Sequence, residues 1–320
     1  MNNNNKDFII TIINHSHRAQ TINCLNSIMR NIPSSNYDIV VLDNASTDDS
    51  SQIIPEQFPE IHFIKQQERK GFAANQNRML KEYSGKARYY VLLNDDTIVL
   101  KNSIEKIYKF MEDNPDVGIC GARLLFPDGS FQISAGIFPS MFKEVIRYMN
   151  LKSWVLTSEI KGFIGKHLRF MLPFEIREYL RSFVKEKGIR EVDYVSGACM
   201  MVREEVFEEI GFLDESYVMY SEDVDFCYRA KLKGWRIFLH NDANIIHIMS
   251  MSKSPFTVRN FEMSKIKFFA KYYKALPLLF YKMAICIISL FKGILSSMEG
   301  LSEIGRVDFS LTREIWKVDK

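Results

Sequence analysis

Tyr89-Tyr90-Val91-Leu92-Leu93-Asn94-Asp95-Asp96 is the stretch on which the fold turns. Five bulky apolar residues run unbroken into an amide and two carboxylates. A strand wetted on one face alternates apolar with polar, whereas a parallel strand covered on both faces reads as a continuous apolar run. The polar residues of such a strand collect at its carboxyl end, where ligands bind in open α/β sheets. Working outward, the same grammar recurs at 8–13 (FIITII, ending at Asn14), 37–42 (YDIVVL, ending in Asp43-Asn44) and 61–65. Between these runs lie helical spacings: Ile22, Leu25, Ile28 and Met29 within 21–30, and a further helix over 71–83. Strands alternating with helices predict a mainly parallel sheet flanked by helices.

Downstream, 104–111 is expected to be a helix and 117–125 the next sheet segment, followed by the turn Pro127-Asp128-Gly129. The chain then changes character. Residues 141–190 carry eleven Lys/Arg against five Asp/Glu, with bulky apolar residues and few turn signals, and are read as basic amphipathic helix. Strand character returns over 191–202, and helices are expected over 204–210 and 220–233. Between 253 and 292 there are eight Lys/Arg and a single acid, Glu262, interleaved with aromatic and aliphatic residues. The longest uncharged stretch there, 283–291, falls well short of the ~20 residues that span a bilayer, so a surface-lying segment is the alternative.

Composition bounds the rest. With 320 residues, 47% of them apolar, the chain can bury a core without disulfides or structural metal, and disordered or collagenous readings are excluded. Five scattered cysteines with no C-x-x-C pair point to free thiols in a reducing compartment. Residues 1–6 followed by a six-residue apolar run are not expected to form a secretory signal. A net charge of +3 gives no reason to invoke nucleic acid.

The candidate chemistry lies in carboxylates. Asp43, Asp95 and Asp96 fall on one rim of one sheet, where mutual repulsion resists ionisation unless a cation intervenes. Oxygen ligands with few histidines favour Mg²⁺ or Mn²⁺. Asp48 and Asp49 are better read as turn and cap residues. In Ser221-Glu222-Asp223-Val224-Asp225 the three acids suit a helix N-terminus, and one of them is alternatively a general base. His247, after Asn244-Ile245-Ile246, is either a satisfied core histidine or a ligand. No zinc-hydrolase, P-loop or dinucleotide fingerprint is present.

Taken in order, Ile9 to Asn14, Val41-Leu42-Asp43-Asn44-Ala45-Ser46-Thr47-Asp48, Gly71-Phe72 with Asn77, Leu92-Leu93-Asn94-Asp95-Asp96, Val195-Ser196-Gly197-Ala198 and Glu222-Asp223-Val224-Asp225 resemble the family 2 glycosyltransferases, and within them the rhamnosyltransferase-like enzymes of bacterial surface polysaccharide synthesis. The resemblance covers about residues 7–255. It implies a GT-A fold, Rossmann-like, here with a C-terminal helical extension, and an inverting transfer from a nucleotide-diphosphate sugar assisted by Mn²⁺ or Mg²⁺.

Carried over residue by residue, the resemblance makes Asp43 the acid for the nucleotide base or ribose and Asn14-His15 a wall of that pocket. Gly71, Phe72 and Asn77 become donor contacts, and Asp96 a metal and diphosphate ligand. Asp95 stands where relatives often have Pro and is assigned to the donor. Asp223 becomes the general base and His247 a late metal ligand. The implied organisation is 1–135 for the nucleotide sugar, 136–190 as a variable basic helical insert, 191–255 for acceptor and base, and 256–320 as a basic amphipathic tail. The implied acceptor is a glycan or polyprenyl-linked glycan, the implied donor dTDP-rhamnose. The implied location is cytoplasmic, peripheral on the inner membrane face, with a homodimer compatible. Against this stand a catalytically silent sugar-nucleotide binder and a nucleotidyltransferase. The latter should carry a Gly-rich basic N-terminal loop, and residues 14–18 contain no glycine.

Overall fold

The structure is a computed structural model, and it describes residues 6–32, 35–148, 188–217, 219–248, 255–298 and 315–318. The chain divides into two units, the first made of Met1–Ile137, Ser182–Val218 and Glu222–Ser250, the second of Phe138–Arg181, Met219–Ser221 and Met251–Lys320.

The first unit opens with the alternation read from sequence: β1 (Lys6–Asn14), α1 (Arg18–Asn31), β2 (Tyr37–Asn44), α2 (Ser50–Gln57), β3 (His62–Gln66), α3 (Phe72–Tyr83) and β4 (Ala87–Asn94). It continues through β5 (Thr97–Val99), α4 (Ser103–Asp113), β6 (Val117–Leu125) and β7 (Ala135–Gly136). After β8 (Ile189–Glu191) come β9 (Tyr194–Val195), β10 (Cys199–Arg203), α6 (Glu204–Ile210), α7 (Glu222–Leu232) and β11 (Arg236–His247). The main sheet runs β3-β2-β1-β4-β10-β6-β11-β5, with β8 on β11, and β7 pairs β9 separately. Strands β1 to β4, β6 and β11 share one direction, while β10, β5 and β8 run against them.

Its core explains the apolar runs. Ile10, Ile12, Val91, Leu93 and Cys120 on one sheet face meet Leu25 and Ile28 of α1 and Ile104, Ile107 and Met111 of α4, all essentially without solvent exposure. Each such side chain stabilises the fold by about 1.5–3 kcal/mol on burial. The chain moves outward from β1 to β3 and then returns to lay β4 on the other side of β1. Such a reversal opens a crevice at the carboxyl ends of the two flanking strands.

Three expectations are corrected. Residues 191–202 are not one strand: Ser196-Gly197-Ala198 leaves the sheet between β9 and β10, its backbone committed to partners elsewhere. Ile189 and Arg190, read as the end of a helical stretch, pair with β11 as strand. The apolar run that His247 closes is only the end of the twelve-residue β11, which has an irregularity between His240 and Asn244, and the short β5 has no counterpart among the expected strands.

In the second unit, α5 (Met141–Tyr148), α8 (Pro255–Tyr272) and α9 (Ala275–Met298) are helical as expected. The rest of the insert, 149–187, and of the tail, 299–314, lies outside the described residues. Lys265 is buried beside Glu144 (2.9 Å) and Glu262 (3.6 Å), which satisfies a charge that burial alone would penalise.

Candidate active site

The site is built on the carboxyl ends of β1, β2, β4 and β11 and on the loop entering β10. Asn14 lies opposite Asp43 in the β1–β2 register, and Ile13 lies opposite Asn94 across β1–β4. The Asn94 N–H donates to the Ala198 carbonyl (3.1 Å), which fastens the β4 end to the 196–198 loop. Next in sequence, the Gly197 N–H donates to the Asp223 carboxylate (3.0 Å). Neighbouring strands are about 4.8 Å apart, so the edge from β2 to β10, three strands along, spans about 14 Å. Asp43, Asp95-Asp96 and Asp223 therefore share one edge of one sheet.

At its β1–β2 end the edge is tightly organised. Asp43 is fully buried and accepts from Asn14 Nδ2 (2.7 Å) and the Ser46 N–H (3.3 Å). Ser46 Oγ also accepts from the Ser16 N–H (2.8 Å). Ser16 and Ala45, which follow the two strands, have left-handed backbones (φ 56° and 52°), a strained state for non-glycine residues that persists only where surrounding bonds hold it. His15 Nδ1 donates to the Asn44 carbonyl (2.9 Å), leaving Nε2 for a ligand. Behind this loop Asn44 and Asn75 share Gln66 (2.9 and 3.0 Å), which ties the ends of β2 and β3 to α3. Asp48 and Asp49 behave as turn residues: Asp48 accepts from the Ser50 N–H (3.1 Å), and Asp49 pairs with Arg18.

In the middle of the edge, Asp95 Oδ2 lies 3.1 Å from His17 Nδ1. Burial pushes the Asp95 carboxyl up, an effect that the His17 hydrogen bond opposes, and the same bond raises His17. Asp96 Oδ1 lies 3.3 Å from His247 Nε2. Strand pairing sets that approach, because Thr97 is the register partner of His247 and the Ile248 N–H donates to the Asp96 carbonyl (2.9 Å).

The far end is carried by α7. Asp223, partly buried, is pushed up by burial, and the N–H groups of Gly197 and Val224 (2.8 Å) work against that rise. A Cβ placed on Gly197 would sit 3.6 Å from the Asp223 Cβ and 3.7 Å from the Phe72 ring, so Phe72 and Asp223 face the same small space. Glu222 is buried with Oε2 unpartnered, and burial together with the adjacent Asp223 charge pushes it up to about 8.

One sequence-predicted contact does not join the edge. Asn77 is buried, and its amide is spent on the Leu213 carbonyl (2.8 Å), Glu215 (2.9 Å) and the Leu213 N–H (3.0 Å). It ties α3 to the 211–217 loop instead of touching a donor. Gly71 caps α3, accepting the Asn75 N–H (3.1 Å). Sequence reading gave no role to Ser46 and His17, whose only signal is polarity just beyond a strand end.

Residues 7–211 match the family described as Glycosyl transferase family 2. The chain belongs to that family. It is 25% identical over 218 residues to the N-acetylglucosaminyl-diphospho-decaprenol L-rhamnosyltransferase of Mycobacterium tuberculosis, covering 65% of this chain and 66% of that protein. It is likewise 25% identical over 254 residues to the low-salt glycan biosynthesis hexosyltransferase Agl10 of Haloferax volcanii, covering 78% and 70%. The chain thus spans about two thirds of the length of these relatives. The mannosyltransferase PcManGT of Pyrobaculum calidifontis, solved with GDP-Man and Mn²⁺, shares the fold (TM-score 0.56, 13% identity, 98% of this chain and 87% of that one). This family-2 chain therefore has the GT-A fold that its sequence implied.

The donor set at Asp96 and His247 fits a divalent cation. Cis ligands of an octahedral ion with ~2.1 Å bonds lie about 3 Å apart, close to the observed 3.3 Å. A carboxylate with an imidazole suits Mn²⁺ or Mg²⁺, Mn²⁺ the more readily of the two. No group of three or more His, Cys, Asp and Glu gathers among the described residues, so a cation held here would need further ligands from outside the chain.

Proposed function

We propose that this chain is an inverting glycosyltransferase that moves a sugar, rhamnose from dTDP-rhamnose in the most specific form, from a nucleotide-diphosphate donor to a glycan or lipid-linked glycan. The nucleoside takes the β1–β2 end, against Asn14, His15 and Asp43, and the diphosphate the middle, beside Asp95 and Asp96. The sugar reaches Phe72, where Asp223 waits. Asp96 and His247 would hold a divalent cation, which when bound would supply positive charge against the departing diphosphate. The acceptor hydroxyl bonds to the anomeric carbon as the carbon–oxygen bond to the diphosphate breaks, and its proton passes to Asp223. A single displacement inverts the centre. It needs no covalent enzyme intermediate, in keeping with the lack of any Ser-His or Cys-His nucleophile pattern in the sequence.

The observation that carries this reading is the double use of the 197–198 loop. One of its residues holds the candidate base and the next holds the β4 end that bears Asp95 and Asp96. A silent sugar-nucleotide binder has no need of that link. The test is a panel of UDP-, GDP- and dTDP-sugars with Mn²⁺. The reading expects one donor, dTDP-rhamnose first, to raise Tm and to be slowly hydrolysed. Stabilisation without hydrolysis or transfer by any donor favours the silent binder, and no response to any donor removes both.

The same proposal places the enzyme at the inner face of a membrane. On α9, Leu278, Tyr281 and Ile285 are buried while Leu276, Phe280, Met283 and Ile287 are exposed, which gives the helix two apolar faces. With α5 it forms an open groove of about 320 Å³ lined by Phe142, Val145, Pro277, Phe280 and Ala284. Lys271 and Lys274 are exposed and supply attraction to anionic headgroups, about 1 kcal/mol each, whereas Lys265 and Lys282 of the same segment are buried. No helix among the described residues is long and apolar enough to cross a bilayer. The lipid-linked acceptor suggested by the mycobacterial relative's name supports this placement, and a homodimer is compatible with it.

A further inference from the structure

His247 is held by more than its approach to Asp96. Gln132, buried like His247 itself, places Oε1 2.6 Å from His247 Nδ1 and Nε2 3.5 Å from the His247 carbonyl. An amide oxygen only accepts, so Nδ1 carries the ring proton. On the other side of the ring, Asn94 Nδ2 lies 3.3 Å from His247 Nε2. Nε2 lies as close to Asp96 Oδ1, 3.3 Å, so the ring turns this nitrogen toward the end of β4, where a cation shared with Asp96 would sit.

Gln132 is itself anchored. After β6 the chain turns at 126–130, and Leu125 bridges back to Phe131, so the return segment runs beside the end of β6. The Gln132 N–H donates to the Leu124 carbonyl (3.0 Å). The Gln132 carbonyl accepts from Ser134 Oγ (2.8 Å), which in turn accepts from the Leu124 N–H (2.7 Å). Because β6 lies parallel to β11, this segment arrives level with His247 at the end of β11. The same segment accepts the Ser196 N–H at the Ser134 carbonyl (2.9 Å), one residue before the Gly197 that holds Asp223.

We propose that Gln132 is the positioning residue of the cation site: by accepting the Nδ1 proton it fixes the His247 ring with Nε2 aimed at the cation that Asp96 shares. The inference rests on the reading of Asp96 and His247 as cation ligands. Partners that orient a ligating histidine typically account for 10–100-fold in metal affinity.

Two measurements test it. In the metal-free full chain labelled with ¹⁵N-histidine, long-range ¹H–¹⁵N correlation at pH 8 should show a proton on His247 Nδ1. A ring with a proton on Nε2 and none on Nδ1 overturns the proposal, and this readout needs neither metal nor variant. Mn²⁺ binding is then followed by EPR with UDP and, separately, with dTDP. Gln132→Leu, which removes the acceptor, should weaken Mn²⁺ about 10–100-fold, whereas Gln132→Glu, which keeps an acceptor, should stay within about threefold of wild type. Equal binding by wild type and Gln132→Leu overturns the positioning role while leaving the cation site standing. Equal losses in both variants reduce Gln132 to packing and overturn it too. Wild-type protein that binds Mn²⁺ with neither nucleotide removes the cation reading, and the positioning role with it.

Discussion

The two ends of the candidate edge treat their carboxylates differently. Asp43, at the β1–β2 end, has both oxygens engaged by Asn14 and the Ser46 N–H, inside a loop pair stitched by Ser16 and Ser46. At the α7 end, Glu222 keeps an unpartnered buried oxygen, and burial raises both it and Asp223. A carboxylate with both oxygens engaged is a rigid acceptor suited to recognition. One whose charge is disfavoured by burial is suited to taking a proton. Asp223 keeps two N–H partners as Asp43 does, so what sets the α7 end apart is the burial that raises it and the unpartnered Glu222 oxygen beside it, and the proposed division gives binding to the first end and chemistry to the second.

The most forceful way to break this contrast is to make the same edit at both ends. Asp223→Asn should lower kcat about 10³-fold, roughly 4 kcal/mol, with donor affinity within a few-fold of wild type. Asp43→Asn should reverse the pattern, raising the donor KM about tenfold with kcat little changed. Steady-state kinetics together with donor titration read both. If Asp223→Asn turns over normally, the base assignment is lost, and if Asp43→Asn loses kcat but not affinity, the division of labour is wrong.

How much of this was legible from the letters follows the range of each signal. The strands of the first hundred residues declare themselves, because burial on both faces forces unbroken apolar runs, and their polar caps mark the edge that Asp43, Asp95 and Asp96 occupy. Asp223 and His247 stand out only through the order of motifs, not through any local pattern. Contacts between distant segments were not. Nothing local to Gln132 distinguishes it from any polar residue after a turn, since its meaning comes from β6 lying parallel to β11. Asn77 shows the same in reverse: on α3, close after Gly71-Phe72, it reads as a donor contact, and only the 211–217 loop folding onto α3 engages its amide.

A gentler test of the contrast lies in pH. Glu222 keeps its proton in the folded chain up to about 8, well above the 4.5 of an unburied glutamate. Between these values the unfolded state releases a proton that the folded state retains. Stability is then highest at the acid end of the window and declines as pH rises through about 8. Asp223 is raised as well and adds to the decline. Glu222→Gln should flatten the curve, gaining on the order of 3 kcal/mol relative to wild type between pH 5 and pH 8.5. Urea unfolding at the two pH values measures it, and parallel losses in the two proteins would show that the Glu222 carboxyl is not strained by its burial.

The smallest effect separates a tie from a contact. Asn77→Ala leaves the Leu213 N–H and carbonyl without partners in a buried setting, which costs about 2 kcal/mol. That loss belongs to the fold alone: the domain should melt earlier, while at a temperature where both proteins are folded the donor KM and kcat should match wild type. Asn77→Asp sharpens the point, because its carboxylate can still accept the Leu213 N–H but cannot donate to the Leu213 carbonyl and repels Glu215. It should be no more stable than the alanine variant. A rise in donor KM with Tm unchanged would return Asn77 to the donor pocket and place the 211–217 loop within reach of the substrate.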